Sequence, residues 1–279
     1  MKNILVTGGT GFIGRNILPS LRERYNVSAP TRAELDLLNQ DAVNKYIQGK
    51  RFDAVLHLAN PTGHNSIDIK SEIFERSLQV FMNLVNSSKY YGKMIYIGSG
   101  AEYGKHRPIV QIREENFGDI LPKDSYGLSR YIMNELAYKY PNIINLRLFG
   151  CHGFGDMPHK LLPYVINHVR AKKTVILRQD CLFDFLYVMD IVPVLIHFIE
   201  NKAKYPSYNL CSGQQLLISN IAKDVCCQMG IAADVVFQQE GLNNEYTASN
   251  ARLKSEIPKW NPTNMTASIK AILKLEGLK

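Results

Sequence analysis

Short apolar runs alternate with longer segments of helical periodicity along most of the chain. The runs have the length of β-strands and occur at 4–7, 27–30, 54–59, 94–98, 143–149, 174–177 and 185–188. The helical segments occur at 15–24, 71–89, 126–140, 160–172 and 192–200. Strands that alternate with helices are typical of a parallel sheet with helices on both faces. The pattern therefore predicts an α/β fold, a doubly wound parallel sheet.

The regularity weakens after about residue 150, and this change predicts a second, smaller unit. A loop rich in Gly, Pro and His covers 150–158, and shorter elements follow it. The stretch 183–213 again has the pattern of sheet and helix, so we assign it to the first domain. We predict a Rossmann-type domain at 1–151 with 183–213, and a small mixed C-terminal cap at 152–182 and 214–279.

Composition and charge disfavour several classes of protein. The formal net charge is +8, with 46% hydrophobic and 21% charged residues, which is ordinary for a globular domain. The chain has no apolar run of about 18 residues, which a membrane-spanning helix needs. The apolar segment 4–6 is too short for the core of a signal peptide. The basic residues are scattered rather than interleaved with aromatics, which disfavours nucleic acid and favours small anionic partners.

The five cysteines, at 151, 181, 211, 226 and 227, are odd in number and form no C-x-x-C pair. Neither a disulfide framework nor a zinc site is indicated, so we expect no metal. Free thiols suit a reducing compartment, and we expect a cytoplasmic protein.

Residues 4–14 read ILVTGGTGFIG, a short apolar strand followed by regularly spaced glycines. Gly8 permits a tight turn, Gly11 lets the backbone approach a pyrophosphate, and Gly14 lets the next helix pack on the strand. That helix starts near Phe12 and directs free N–H groups at the phosphates. We predict a dinucleotide site whose contacts here are Gly8, Thr10, Gly11, Phe12, Ile13 and Gly14.

The end of the second strand indicates which dinucleotide binds. An acidic residue about 20 positions after the loop normally binds the adenosine ribose. Here the sequence at 29–32 is Ala-Pro-Thr-Arg, so that carboxylate is missing and the guanidinium of Arg32 suits a 2′-phosphate. NADP(H) is therefore favoured over NAD(H), with a solvated Arg32 as the alternative.

Two later segments carry candidate chemistry. The run 94–104 begins as a strand that delivers Ser99 at its carboxyl end, the edge where open α/β sheets bind ligands. The run 124–130 opens a helix on which Tyr126 and Arg130, four residues apart, share a face.

Together with the glycine loop, these segments resemble the extended short-chain dehydrogenase/reductases of the NAD-dependent epimerase/dehydratase type. That family combines T-G-x-x-G-x-x-G with a Ser or Thr five residues before the glycine of a Y-G pair, and with Y-x-x-x-K. The resemblance covers nearly the whole chain. Further similarities are Asp36-Leu37 as the adenine-contacting pair, the run from His57 through Leu58, Ala59 and Asn60 beside the cofactor, and the runs 185–190 and 208–213.

The resemblance implies a mechanism. Tyr126 would exchange a proton with a sugar oxygen as the nicotinamide gives or takes a hydride, and Ser99 would hydrogen-bond the same oxygen. In the family, a lysine holds the nicotinamide ribose and supplies the cation that a phenol of pKa about 10 needs near neutrality. Arg130 stands at that position here. We expect Ser99, Tyr126 and Arg130 to be catalytic, the last two also to contact the cofactor, and turnover to be slower than with lysine.

The residues after Ser99 bear on the reaction type. Dehydratases of the family have an Asp-Glu pair directly after the catalytic threonine, where this chain has Gly100 and Ala101. Glu102 is one residue out of register, which in an extended segment reverses its direction. Dehydration is disfavoured, and we expect Glu102 to cap or pair locally.

The segment 31–39 is similar to that of the GDP-fucose synthases, NADP-dependent enzymes that also epimerise with a Cys and a His. Ala101 and Lys160 stand at the matching positions, with His159 adjacent. We therefore expect reduction of the 4-keto group of a nucleoside-diphosphate 4-keto-6-deoxyhexose, without epimerisation. The alternatives are a nucleotide-sugar 4-epimerase that keeps NAD bound, and a catalytically weak NAD(P)-binding regulatory protein.

The nucleotide-sugar substrate would contact residues of both domains. The candidates are Ser99, Ala101, His159, Lys160, Arg178 and Arg252. The cations among them suit a diphosphate, and each also suits a solvated surface position. The apolar helical faces 73–84 and 126–138 favour a homodimer through a helix bundle, although burial within one chain explains them nearly as well.

Overall fold

The computed structural model describes residues 1–60 and 70–278, with side chains from residue 72 onward in the second range. The strands are β1 (Asn3–Thr7), β2 (Asn26–Ser28), β3 (Phe52–His57), β4 (Tyr91–Ser99), β5 (Ile109–Ile112), β6 (Ile143–Leu148), β7 (Gly150–His152), β8 (Val175–Leu177), β9 (Leu182–Phe183), β10 (Phe185–Tyr187), β11 (Ser207–Leu210), β12 (Leu216–Leu217), β13 (Val235–Phe237) and β14 (Tyr246–Ala248). The α-helices are α1 (Phe12–Arg22), α2 (Gln40–Lys50), α3 (Lys70–Asn86), α4 (Ser125–Ala137), α5 (Leu161–Arg170), α6 (Ile191–Glu200), α7 (Ile218–Met229), α8 (Ala251–Glu256) and α9 (Met265–Leu275).

The central sheet has six strands in the order β11-β6-β4-β3-β1-β2, and every neighbouring pair is parallel. Side chains alternate between its two faces, as the pleat requires. Ile4 and Val6 face a core formed with α1 and α6, whereas Leu5 faces a core formed with α2, α3 and α4. Helices therefore cover both faces, and the predicted doubly wound α/β fold is confirmed.

Local sequence signals explain where several helices begin. Asn39 caps α2 by accepting a hydrogen bond from the backbone N–H of Ala42, and Asp124 caps α4 by accepting one from Gly127 at 2.8 Å. Gly11 precedes α1 without a capping side chain. The first turn of α1 is therefore left with backbone N–H groups that a ligand can satisfy.

A second layer of small sheets and helices follows β6. The strands β12, β9, β14 and β5 form one sheet, while β10 pairs with β7 and β13 pairs with β8. Helices α5, α7 and α9 enclose a separate core around Val165, Ile221 and Ile269. The predicted division into domains stays a prediction, and Leu253 and Trp260 of the predicted cap pack in the core that contains α1.

No helix among the described residues has the length and apolarity needed to cross a membrane. The apolar face predicted to form a dimer is partly used within the chain, because Phe81 and Leu84 of α3 and Met133 of α4 are buried in one core. The homodimer stays a prediction.

Candidate active site

A cleft of about 740 Å³ lies where β1 and β3 end and α1 begins. All of the predicted cofactor contacts except Tyr126 and Arg130 line it, namely Gly8, Thr10, Gly11, Phe12, Ile13, Gly14, Arg32, Asp36, Leu37, Leu58, Ala59 and Asn60. The structure therefore brings together at one sheet edge residues that are up to 52 positions apart in the sequence.

The glycine loop is packed so tightly that two of its glycines have no room for a side chain. Gly8 has φ of +73°, and a Cβ there would lie 2.6 Å from the backbone nitrogen of Ala59. A Cβ at Gly14 would lie 2.6 Å from the carbonyl oxygen of Gly8. At Gly11 a Cβ would meet the oxygen of Gly8 at 3.2 Å and no other atom of the described residues is recorded within 4 Å, so none of them closes this side of Gly11. That is the arrangement needed for close approach of a phosphate.

Buried polar contacts hold the strand ends beside the loop. The hydroxyl of Thr7 lies 2.8 Å from Nδ1 of His57, and the backbone N–H of Leu58 donates to the carbonyl of Thr7. Burial, together with the positive charge of Arg130, lowers the pKa of His57 to about 3. The imidazole is therefore neutral and structural at neutral pH.

Arg32 reaches solvent at the edge of the cleft and makes no hydrogen bond or ion pair within 1–60 and 70–278. Asp36 accepts from the backbone N–H of Leu38 and so completes a local turn. Arg76 of α3, which the sequence reasoning missed, also lines the cleft and pairs with Glu72 at 2.5 Å. Its helix gave no motif, and only the fold brings it to this edge.

Ser99 ends β4 and caps a short 3-10 helix, Gly100–Tyr103. Its hydroxyl accepts a hydrogen bond from the backbone N–H of Ala101 at 3.1 Å, and its own N–H donates to the carboxylate of Glu102 at 3.0 Å. The expectation of an extended segment here was wrong, because this reciprocal capping closes a helical turn. The expectation that Glu102 caps or pairs locally is confirmed for the cap.

Glu102 forms a fully buried ion pair beneath this turn. Its carboxylate accepts from Nε of Arg147 at 2.6 Å, and both side chains are 0% exposed. Asn145 donates to the same carboxylate. Burial raises the pKa of Glu102, and the Arg147 guanidinium opposes that rise. The pair ties the Ser99 turn to β6.

The start of α4 packs directly against the same turn. A Cβ at Gly127 would lie 2.8 Å from the carbonyl oxygen of Ala101, so the first turn of α4, which carries Tyr126, lies against the turn that follows Ser99. Tyr126 is half-buried. Arg130, one helical turn further, is buried, and its guanidinium carbon lies 5.3 Å from the centroid of the Tyr126 ring.

Tyr246 of β14 completes this arrangement and was missed by the sequence reasoning. A Cβ at Gly100 would lie 2.5 Å from the Tyr246 hydroxyl, which is also close to the Ser99 side chain. Burial raises the pKa of Tyr246 well above its ordinary value, and the charge of an ionised Tyr126 would raise it further. The strand has only three residues and follows an irregular loop, so its sequence carried no signal.

The structure brings only some of the predicted substrate contacts to the cleft or to Ser99. Lys160 lines the cleft, Ala101 is buried beside Ser99, and His159 is exposed next to Lys160. Arg178 is exposed and does not line the cleft. Arg252 is not brought to it either, because its guanidinium pairs with Glu114 and Glu115 and donates to the carbonyl of Ser207, at the amino end of β11.

Unpartnered polar groups at this edge fit a bound dinucleotide. Within the described ranges, Nε of Arg130 and Oδ1 of Asn60 are buried and have no hydrogen-bond partner. Buried groups of this kind are rare unless a ligand or water satisfies them. Hydroxyls of a ribose or an amide can satisfy both, the open side of Gly11 admits a pyrophosphate, and Arg32 offers a free cation to a phosphate.

A parallel sheet with a glycine loop after β1, a Ser at the end of β4 and a Tyr at the start of α4 defines a dinucleotide-binding enzyme of the Rossmann type. The chain belongs to the NAD dependent epimerase/dehydratase family, whose sequence profile matches residues 4–211. The resemblance found in the sequence and the expectation of an NAD(P)-dependent enzyme are therefore confirmed.

Similar proteins act on activated sugars. The GDP-6-deoxy-D-talose 4-dehydrogenase of Aggregatibacter actinomycetemcomitans is 28% identical over 239 residues, which cover 80% of this chain and 79% of that protein. The GDP-L-colitose synthase of Yersinia pseudotuberculosis is 25% identical over 261 residues, 85% of each chain. The structure of GDP-mannoheptose C4 reductase from Campylobacter jejuni with NADP bound superposes with a TM-score of 0.86 at 19% identity, over 99% of this chain and 98% of that one. At that identity the structural likeness establishes the fold.

Proposed function

We propose that this protein is an NADP(H)-dependent reductase for the 4-keto group of a nucleoside-diphosphate 4-keto-6-deoxyhexose. The observation that carries the proposal is that the turn after Ser99 packs against the first turn of α4, which carries Tyr126, while Glu102 is buried in the core. This arrangement offers two hydroxyl groups to a substrate oxygen and withdraws the nearby carboxylate. The methyl group of Ala101 supplies no acid or base for epimerisation.

Different residues of the chain donate the proton, orient the substrate and bind the cofactor. Tyr126 gives its phenolic proton to the sugar oxygen, and Ser99 donates a hydrogen bond that orients the same oxygen. The glycine loop and Arg32 hold the phosphates of the cofactor, and Arg130 and Asn60 bind its polar groups at the strand ends. When bound, NADPH supplies the hydride. Lys160 at the cleft suits the substrate diphosphate.

Three features support this proposal. Arg32 is free to bind a 2′-phosphate, which favours NADP(H) over NAD(H). The names of the similar proteins above describe work on GDP-linked deoxysugars or reduction at C4. The net charge of +8 attracts a substrate and cofactor that both carry diphosphates.

The test is consumption of NADPH with a panel of GDP-, CDP- and dTDP-linked 4-keto-6-deoxyhexoses. We expect turnover with one member of the panel and a stronger response to NADPH than to NADH. Tyr126→Phe should lower kcat at least about a hundredfold, because the proton donor is lost, and leave the Kd for NADPH within about twofold. Unchanged turnover in Tyr126→Phe refutes the mechanism.

The same samples separate the alternative functions. NAD that co-purifies with the protein, together with interconversion of a sugar nucleotide without net NADPH loss, identifies a 4-epimerase. Thermal stabilisation by NADPH without turnover on any panel member identifies a binding protein.

A further inference from the structure

The cation at the family's lysine position is directed into the protein interior. Arg130 is 3% exposed, and one terminal nitrogen of its guanidinium lies 3.7 Å from Sδ of Met133. Its contact with Tyr126 is with the ring, at 5.3 Å from the centroid, and its charge also reaches the buried His57. The phenolic hydroxyl of Tyr126 is therefore left open to a second cation.

Lys105 extends from the turn that carries Ser99. Gly104 ends the 3-10 helix with φ of +81°, a left-handed conformation that glycine adopts readily, and Lys105 follows it. The ammonium nitrogen of Lys105 lies 4.5 Å from the centroid of the Tyr246 ring. The face of an aromatic ring attracts a cation, so this contact holds a solvent-exposed side chain in one place.

The ring beneath Lys105 is itself fixed at the candidate site. Tyr246 is buried, and its ring centroid lies 4.9 Å from those of both Phe149 and Phe183. Its hydroxyl is beside Gly100 and close to Ser99. The ammonium of Lys105 therefore rests on an aromatic ring whose own hydroxyl lies at the turn that carries Ser99.

The charged and titratable groups that face Lys105 come from two further segments. Asp124 and Tyr126 at the start of α4 favour its positive charge, and Lys160 before α5 opposes it. Loss of hydration around the ammonium lowers the pKa of Lys105. Among the groups that raise this pKa again, Tyr126 has the largest effect. Lys105 and Tyr126 thus lie within electrostatic range of each other.

We propose that Lys105 is the cation that assists proton transfer by the Tyr126 hydroxyl, the part that the family pattern gives to a lysine at position 130. The inference rests on the proposed reductase function. Lys105 acts through Tyr126 and is a positioning residue, whereas Arg130 fixes the ring of Tyr126 from the interior.

The proton balance of the step shows where the charge is needed. As the sugar carbonyl carbon takes a hydride from NADPH, its oxygen takes the proton of Tyr126; one O–H bond breaks and another forms. Tyr126 is left as a phenolate, which solvent then reprotonates. A nearby ammonium stabilises the negative charge of this phenolate.

The experiment compares pH profiles of kcat for reduction of the panel member that is turned over. The variants are Lys105→Gln, Lys105→Arg and Arg130→Gln, with Lys123→Gln as the matched control, because Lys123 is an exposed lysine just before α4. We expect Lys105→Gln to lower kcat about tenfold at neutral pH and to move the alkaline limb up by about one pH unit. Lys105→Arg should keep kcat within about threefold, and Lys123→Gln should match the unsubstituted protein.

Three results overturn the inference, provided that thermal melting shows each variant to be folded. The first is an alkaline limb that moves in Arg130→Gln and stays in place in Lys105→Gln. The second is Lys105→Gln with a raised KM and an unchanged kcat, which assigns Lys105 to binding of the substrate diphosphate. The third is a normal Lys105→Gln beside an inactive Tyr126→Phe, which refutes the inference about Lys105 and leaves the proposed function standing. Absence of turnover in the unsubstituted protein refutes the proposed function instead.

Discussion

Alanine should have different effects at two glycines of the phosphate loop: Gly11→Ala should weaken NADPH binding, and Gly14→Ala should lower the stability of the fold. Gly11 has φ of −75°, which alanine adopts freely, and among the described residues its added Cβ would meet only the oxygen of Gly8, at 3.2 Å. We expect Gly11→Ala to change the free energy of unfolding by no more than about 0.5 kcal/mol. The new methyl group would instead stand where the helix end receives the pyrophosphate.

The expected loss of cofactor binding follows from that position. Displacing the phosphate from the N–H groups of α1 weakens one or two charge-assisted hydrogen bonds, at roughly 1.5 kcal/mol each. We therefore expect the Kd of Gly11→Ala for NADPH to rise between about tenfold and about a hundredfold.

Gly14→Ala is the matched substitution with a structural effect. Its Cβ would lie 2.6 Å from the oxygen and Cα of Gly9 and from the oxygen of Gly8, all of them backbone atoms. Overpacking of this kind costs about 3 kcal/mol, and the higher helix propensity of alanine offsets about 1 kcal/mol. The net loss of about 2 kcal/mol should lower Tm by roughly 4–8 °C.

Thermal melting and calorimetric titration with NADPH measure the two effects separately. Normal NADPH affinity in Gly11→Ala would show that the pyrophosphate does not approach this residue. Equal destabilisation of both variants would show that the open side of Gly11 is not open in solution.

Two further predictions concern buried charge. Glu102→Gln should lower the free energy of unfolding in urea by about 3–5 kcal/mol, because Arg147 keeps its charge at 0% exposure without a carboxylate partner. A loss below about 1 kcal/mol would contradict this prediction. Lys93→Gln, a substitution at the opposite end of β4, serves as the control. Stability should also fall in mild acid, because burial lowers the pKa of His57 to about 3 and that of His152 to about 4, below an unfolded value of about 6.5. The unfolded chain then binds protons first, so this stability is fully present above pH 6.5 and is lost as the pH falls toward 4, by up to about 1.4 kcal/mol per pH unit for each histidine. A Tm that is constant between pH 7.5 and pH 5, or a slope unchanged in His57→Asn, would contradict the assignment.

The sequence was most informative where a local pattern determines a backbone shape. The glycine loop, Ser99 at the end of β4 and Tyr126 at the start of α4 were all found, because spacing and periodicity are properties of neighbouring residues. Helix α2 was missed, because only Val43 and Ile47 of its residues are buried and its mostly polar sequence has a weak apolar stripe.

Residues brought together by the tertiary fold left no such pattern. Lys105 and Tyr246 are 141 positions apart, and nothing near either residue indicates the other. The partner of Glu102 lies 45 positions away on β6. Its charge made Arg252 a candidate diphosphate ligand. Only the structure shows that its guanidinium forms ion pairs with Glu114 and Glu115.

The contact between Gly100 and Tyr246 limits how this scaffold can be redesigned. Conversion to a dehydratase would require an Asp-Glu pair at positions 100 and 101. A side chain at 100 would meet the Tyr246 hydroxyl at 2.5 Å and the ring of Phe149 at 2.7 Å. Any such conversion therefore needs a smaller residue at 246 as well, and that change removes the ring on which Lys105 rests. For this chain, a change that admits the new reaction would therefore also weaken the proposed reduction.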